Sequence, residues 1–534
     1  MVMTQGNLPG PFHMFVGQDL PHLLEARARD RGNHPFLIYA PPDSQAQVWT
    51  YRAFTDGVAK FAGGLALHGV ARGDFVIIHM DNAIEFLLAW HACSRLGAIA
   101  VTTNTRSSMD ELAYFIEHCG ARFAITEPIH TALVQAAGPA LEWLCVTSSD
   151  GGIAPSTPRP ASVIAFESLL DGDHDEAPLR PAEPLLANSV QYTSGSTSRP
   201  KAVVWTHANA LWGARIGALT CQVQPHDIGH TCLPLYHTNA LSYSHLATLW
   251  AGATLVFQRR FSASRYWPCV VQHGCTWGVQ IPFILKALLA QPVPAHAITR
   301  WGLGGIDPPV VMQKFGIPCI GWFGMTETVS LPLFSTWNLP GKIGSMGSVV
   351  PGYEIEVRRD DGSSVDVGET GILWIKGVRG ISLFQDYLNN PEAMREAFDD
   401  RGWFKTGDRV IPHADGSITF DGRARDMLRV GDENVAESEI ERVLLGTGLV
   451  AEVAVVGKPH RMLDEVPVAF VTPSTDTPDL ETALLEACRA KLAKFKVPDE
   501  IIVVTDFPRV TIGKIDKKAL RSQMAERHRE TTSS

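Results

Sequence analysis

Between residues 75 and 126 short apolar runs alternate with longer amphipathic ones. "FVIIHM" suits a buried strand, and "DNAIEFLLAWHACSRLG" has the length of a helix that ends on Gly97 as its C-cap. "AIAVTT" returns to strand character. In "SSMDELAYFIEHCG" Ser108 and Glu111 have the spacing of a capping box, and Gly120 closes that helix. "RFAIT" follows as a further strand. Strand and helix in this rhythm predict right-handed β-α-β crossovers and a largely parallel sheet.

Residues 146–187 are rich in Pro, Gly, Asp and Ser and read as a long surface connection. A second β/α stretch runs from about 188 to 335. From 342 to 422 the texture changes to short strands and turns, as in "YEIEVRRDDGSSVDVGETGILWIKG" and "DGSITFDGR". After Arg423 come a helix ("AESEIERVLLG"), two strands ("AEVAVVGKP", "VPVAFVTP"), a helix ("LETALLEACRAKLAKFK") and a strand ("IIVVTD"). The fold class read from this order is α/β: a large N-terminal domain of β/α subdomains with a small β-barrel-like piece, residues 1–423. A small α+β domain follows at 424–534. The terminal "RHRETTSS" is expected to fray.

Composition narrows the function classes. The chain has 534 residues, 45% of them hydrophobic, and a net charge of −10. Its sequence pI is near 6.0. No global basic surface points to nucleic acid, so an anionic ligand needs local cations. The nine cysteines (93, 119, 145, 221, 232, 269, 275, 319, 488) show no CxxC spacing and read as reduced, buried thiols, which suits a cytoplasmic protein. The N-terminus lacks a basic start followed by an apolar core, so no signal peptide is expected. His91 and Arg95 interrupt the long apolar run "FLLAWHACSRLGAIAV", so no transmembrane segment is expected either.

Candidate chemistry starts at "QYTSGSTSRPKAVVWTH", residues 191–207. A P-loop needs Gly-Lys-Ser/Thr opening a helix. Here Pro200 precedes Lys201, Ala202 follows it, and "AVVW" is strand-like, so the loop joins strand to strand. Its hydroxyls and amides could cradle a polyphosphate with Lys201 as a point charge. A Ser/Gly-rich hairpin with a solvated lysine is the plain alternative.

Four further segments bear on that choice. They are "GWFGMTET" with Thr326 and Glu327, "GWFKTGD" with Asp408, "GRARDMLRVGDENVAESEIE" opening the small domain, and "FPRVTIGKIDKKAL" with Lys514. Singly, each has a dull reading as a helix cap, a turn, an exposed arginine or one lysine among several. In this order and spacing, from about residue 20 to 520, they resemble the adenylate-forming superfamily: acyl-CoA synthetases, carrier-protein adenylation domains and firefly-type luciferases. The segment around His237 resembles the crotonobetaine/carnitine-CoA ligase branch.

The resemblance implies an ATP-dependent acid–thiol ligase. A carboxylate attacks the α-phosphate of ATP, giving an acyl-adenylate and pyrophosphate, and CoA then displaces AMP, as in fatty acid metabolism. It implies that Thr193, Ser194, Gly195, Ser196, Thr197, Ser198 and Lys201 hold the β- and γ-phosphates. Thr326 would contact the α-phosphate and Glu327 would bind Mg²⁺. Asp408 would take the ribose hydroxyls, with Arg423 a second ribose or phosphate contact. Phe323, Gly324 and Met325, with Gly304 and Gly305, match segments around adenine and the acyl carboxylate. Lys514 would bridge carboxylate and α-phosphate. Arg425 marks the hinge of a mobile C-terminal lid, whose "RVGDENV" loop, Gly431 included, would line the thiol tunnel. His237 matches a position beside the acyl pocket, with a hydrogen-bonded core histidine as the alternative.

The chain also departs from the family pattern. Ser198 and Ala202 stand in place of glycines, and Ala202 is tolerable only at negative φ. Phe323 replaces a common tyrosine, Arg425 an Asp or Lys, and Asp432 a glycine of the tunnel loop. The acyl pocket is expected from residues 237–245, Gln280, 302–306 and 322–331, with His237, Asn239, His245 and Gln280 as polar exceptions. Such a lining suits a medium-length, branched, aromatic or polycyclic acid better than acetate. The alternatives are an adenylation enzyme loading a carrier-protein pantetheine, a luciferase-type oxygenase, and a non-catalytic binder of nucleotide or acyl-adenylate. The sequence leaves a homodimer open.

Overall fold

Strand Phe75–His79 is apolar on both faces, as a strand covered on both sides of a parallel sheet must be. In the computed structural model, which describes residues 9–532 apart from 11, 156–158, 194–198, 305–307, 338–343, 424–426, 475–477 and 510–514, it lies inside an eight-stranded sheet. Ile99–Thr102 pairs parallel with it on one side and Phe123–Thr126 on the other. The helix between the first two, Ile84–Leu96, ends on Gly97 in the left-handed region at φ 76°, where glycine avoids a Cβ clash. The predicted capping box is present: Ser108 N–H donates to Glu111 Oε2 at 2.7 Å, and Glu111 N–H to Ser108 Oγ at 3.2 Å.

A second sheet has thirteen strands. Pro35–Ala40, Thr254–Gln258, Ile228–Thr231, Trp277–Gln280, Arg300–Leu303 and Cys319–Phe323 run parallel. From there the direction alternates through Leu333–Phe334 and Ser345–Val349 to the strand-rich region predicted at 342–422. The short strands of that region therefore continue the path of the parallel sheet. The connection at 146–187 is less irregular than its composition suggests. It contains strand Ile164–Ala165 and helix Phe166–Leu170, whose Phe166 stacks on Phe61 at 4.2 Å. The apolar run "VIAFESLL" inside the polar tract carries that anchor.

The chain divides into two compact units. The first holds residues 1–105, 115–192 and 202–422 and both large sheets; the second holds 106–114, 193–201 and 423–534. In the second, strands Val450–His460 and Asp464–Pro473 form a long antiparallel pair, with Glu500–Val503 added parallel. Side chains alternate faces along a strand. Val453 and Val455 pack with Ile440, Leu484 and Cys488 of the helices Glu437–Leu445 and Leu480–Lys491. Ala454 and Val456 pack with Leu520 and Met524 of the helix Lys517–Thr532. That last helix reaches Thr532, so much of the tail expected to fray is helical. Among the described residues no helix is long and apolar enough to cross a membrane.

Candidate functional site

Strand Cys319–Phe323 ends at Gly324, and the chain then makes one 3-10 turn, Thr326–Thr328. A Cβ on Gly324 would lie 2.2 Å from the Tyr243 hydroxyl oxygen, so the bend against the π-helix Asn239–Leu246 requires glycine. The turn is held from several elements. Trp205 Nε1–H donates to the Thr326 carbonyl at 2.9 Å. Phe384 N–H donates to the Glu327 carbonyl at 2.9 Å, and the Tyr387 hydroxyl donates to Glu327 Oε1 at 2.9 Å. Thr238 Oγ1 lies 3.1 Å from the Thr326 hydroxyl and 3.0 Å from Gln191 Oε1, so its single proton serves one of them at a time.

The next residue, Val329, has φ 63° although it is β-branched and fully buried. Such a conformation costs on the order of 1–3 kcal/mol and persists where the surroundings over-determine it, commonly at functional sites. Ser242 Oγ–H fixes its carbonyl at 2.8 Å. Glu327 itself is 5% exposed. The Tyr387 hydroxyl is held well above the ordinary tyrosine range, first by burial and then by the Glu327 charge, so it stays protonated and donating. A hydroxyl and a carboxylate on one rigid turn form an all-oxygen donor set, which fits a hard cation such as Mg²⁺.

The structure accounts for the other predicted residues unevenly. Phe323 is buried and Met325 half-buried on the same turn. Among the described residues, a Cβ on Gly304 would meet nothing within 4 Å. Asp408 is buried on strand Phe404–Pro412, and its N–H donates to Thr406 Oγ1 at 3.1 Å. His237 is half-buried and packs edge-on against Tyr236 at 4.8 Å. Thr193 ends strand Ala187–Thr193 and Lys201 opens strand Lys201–Thr206, adjacent in the eight-stranded sheet, as a strand-to-strand loop requires. Ala202 is extended and buried, so its departure from glycine costs no backbone strain. Gly431 is in the left-handed region at φ 67°, with its N–H on the Leu463 carbonyl at 2.8 Å. Asp432 accepts both its hydrogen bonds from Arg106 at 3.0 Å, inside the second unit, so its charge is paired. Ser194, Gly195, Ser196, Thr197, Ser198, Gly305, Arg425 and Lys514 lie outside the described residues, and Arg423 is described only as the end of strand Ile418–Arg423.

Two expected pocket polars each have one nitrogen engaged in the interior. Gln280 Nε2–H donates to the Tyr266 hydroxyl at 2.5 Å. His245 Nε2 faces His91 Nε2 at 2.8 Å, and both imidazoles are fully buried. Burial pushes His245 down to about 3, and burial followed by the charge of His245 holds His91 well below the ordinary histidine value. The sequence reading also missed Trp205, Thr238 and Tyr387. Tyr387 is 60 residues from Glu327, and no local pattern could pair them.

A family model described as AMP-binding enzyme matches residues 24–388, and a model described as AMP-binding enzyme C-terminal domain matches residues 439–514. Crotonobetaine/carnitine–CoA ligases of Citrobacter koseri and Escherichia coli are each 28% identical to this chain, over 95% of it and 99% of their own length. Among solved structures, o-succinylbenzoate CoA synthetase from Bacillus subtilis bound with a product analogue is similar with a TM-score of 0.82, 27% identity, and coverage of 95% of this chain and 98% of that one. The same enzyme in complex with ATP and magnesium ion is similar with a TM-score of 0.67, 27% identity, and coverage of 94% and 99%.

Proposed function

Because the chain belongs to the AMP-binding enzyme family, we propose that it is an ATP-dependent carboxylate–CoA ligase, forming an acyl-adenylate with release of pyrophosphate and then an acyl-CoA with release of AMP. The observation that carries this reading is the pinned turn Thr326–Thr328, with its buried carboxylate held at 2.9 Å by Tyr387. Adenylate formation crowds negative charge around phosphorus, and fixed donors and cations stabilise it without any protein nucleophile. In the proposed roles Thr326 donates to the α-phosphate and Glu327 holds the metal. Thr193, the loop 194–198 and Lys201 take the outer phosphates. Asp408 and Arg423 hold the ribose, and Phe323, Gly324, Met325, Gly304 and Gly305 flank adenine and carboxylate. Lys514 acts in adenylation. Arg425 and Gly431 belong to a lid proposed at 424–534, while 1–423 forms the nucleotide-binding domain. When bound, Mg²⁺ supplies neutralisation of phosphate charge.

His237 stays assigned to the rim of the acyl pocket. Tyr243 and Trp322, 5.8 Å apart in an edge-on pair, favour an apolar or aromatic acid over acetate. The nine cysteines are all buried and unpaired, which supports the cytoplasmic assignment.

The deciding experiment measures pyrophosphate release over a panel of carboxylic acids, with and without CoA. Acid-dependent release is expected, with AMP and thioester formed once CoA is present. ATP binding with no release for any acid would overturn the reading in favour of a binder. Release without thioester would favour a carrier-protein acceptor.

A further inference from the structure

Tyr387 lies in the two-residue strand Asp386–Tyr387, paired antiparallel with Val203 and Val204. Its ring is buried and packs against Phe384 at 4.6 Å. The same segment holds Glu327 at two points: the Phe384 N–H engages the backbone carbonyl, and the Tyr387 hydroxyl engages Oε1, each at 2.9 Å. A donor held on Oε1 by a buried ring restricts the rotation of the Glu327 carboxylate.

We propose that Tyr387 is the positioning residue for the magnesium-binding carboxylate, locking Glu327 in the orientation that receives the cation. This rests on the reading of Glu327 as a metal ligand. Outer-shell partners of ligating groups typically account for about 10- to 100-fold in metal affinity or activity. Tyr387→Phe keeps the ring, its packing and the strand pairing, and removes the hydroxyl alone. A tyrosine with a purely structural role would lower thermal stability on that change and leave metal affinity untouched.

The probe is Mn²⁺ in place of Mg²⁺, titrated against the full-length enzyme with ATP and followed by the electron paramagnetic resonance signal of free Mn²⁺. Tyr387→Phe is expected to weaken enzyme-bound Mn²⁺ by about 10-fold, and Glu327→Gln by at least as much. The double variant should be no weaker than Glu327→Gln alone, since the tyrosine acts through the glutamate. The KM for the carboxylic acid should hold in Tyr387→Phe while the apparent affinity for the metal falls. Unchanged Mn²⁺ binding in Tyr387→Phe beside a loss in Glu327→Gln would overturn the role of Tyr387 and leave the ligand assignment standing. Unchanged binding in both variants would overturn the ligand assignment and this inference with it. Additive losses in the double variant would place Tyr387 on another group and also overturn the inference.

Discussion

Glu127 shows how costly a buried charge is to keep. Its carboxylate is fully buried, spanned by Arg259 through Nη1 at 2.6 Å and Nη2 at 2.8 Å, and Arg259 also reaches Asp81 at 3.1 Å. Among the described residues Asp81, Glu127 and His130 are close enough to hold a metal ion. The guanidinium already spans both carboxylates, so the cluster reads as an ion-pair network. Burial pushes the Glu127 carboxyl above the usual range, and Arg259 opposes that shift. Arg259→Met should destabilise the fold by about 3–5 kcal/mol at neutral pH by leaving Glu127 unpaired. With its pKa raised further in the folded state, the variant binds that proton more tightly folded than unfolded. Its deficit should therefore shrink as pH falls from neutral toward the ordinary carboxylate value of 4.5. Thermal unfolding midpoints of both proteins across that range check the prediction, and a deficit independent of pH would contradict it.

At the scale of elements, close approaches at glycine position the candidate turn. A Cβ on Gly302 would fall 1.9 Å from the Trp322 ring, so strand Arg300–Leu303 can lie beside Cys319–Phe323 only with a bare backbone there. Gly213 is similarly close to Ser242 of the π-helix, at 2.4 Å for its added Cβ. Gly302→Ala should cost about 1–3 kcal/mol as an overpacked substitution. Adding Trp322→Leu should recover part of that loss, because the clash is with the ring. Urea unfolding of the single and double variants measures the coupling; independent, additive losses would show that the two positions do not compete for one space.

At the scale of the molecule, a chain of net charge −10 binds an anion through local cations and donors. The reading assigns the two half-reactions different groups, so they should separate by mutation. Lys514, the last residue of the matched C-terminal family segment, is the test. Lys514→Ala should lose about 10²- to 10³-fold in ATP–pyrophosphate exchange, the usual cost of one preorganised stabilising group. It should still convert supplied acyl-adenylate to thioester at close to the parent rate. Equal loss of both half-reactions would remove Lys514 from the adenylation step.

The sequence by itself determined the alternating β/α architecture, the helix boundaries at Gly97 and Ser108, the strand-to-strand loop before Lys201, and the segment carrying Thr326 and Glu327. These are local features: periodicity, caps and turn residues act over a few positions, so neighbouring residues encode them. Only the tertiary structure decided that Tyr387, Thr238 and Trp205 hold that segment, that Gln280 meets Tyr266 and His245 meets His91, and that a short helix lies within the polar stretch at 146–187. Those outcomes depend on which side chains meet after distant strands pair. Hydrogen-bond geometry across 60 or more residues leaves no periodic trace in the chain.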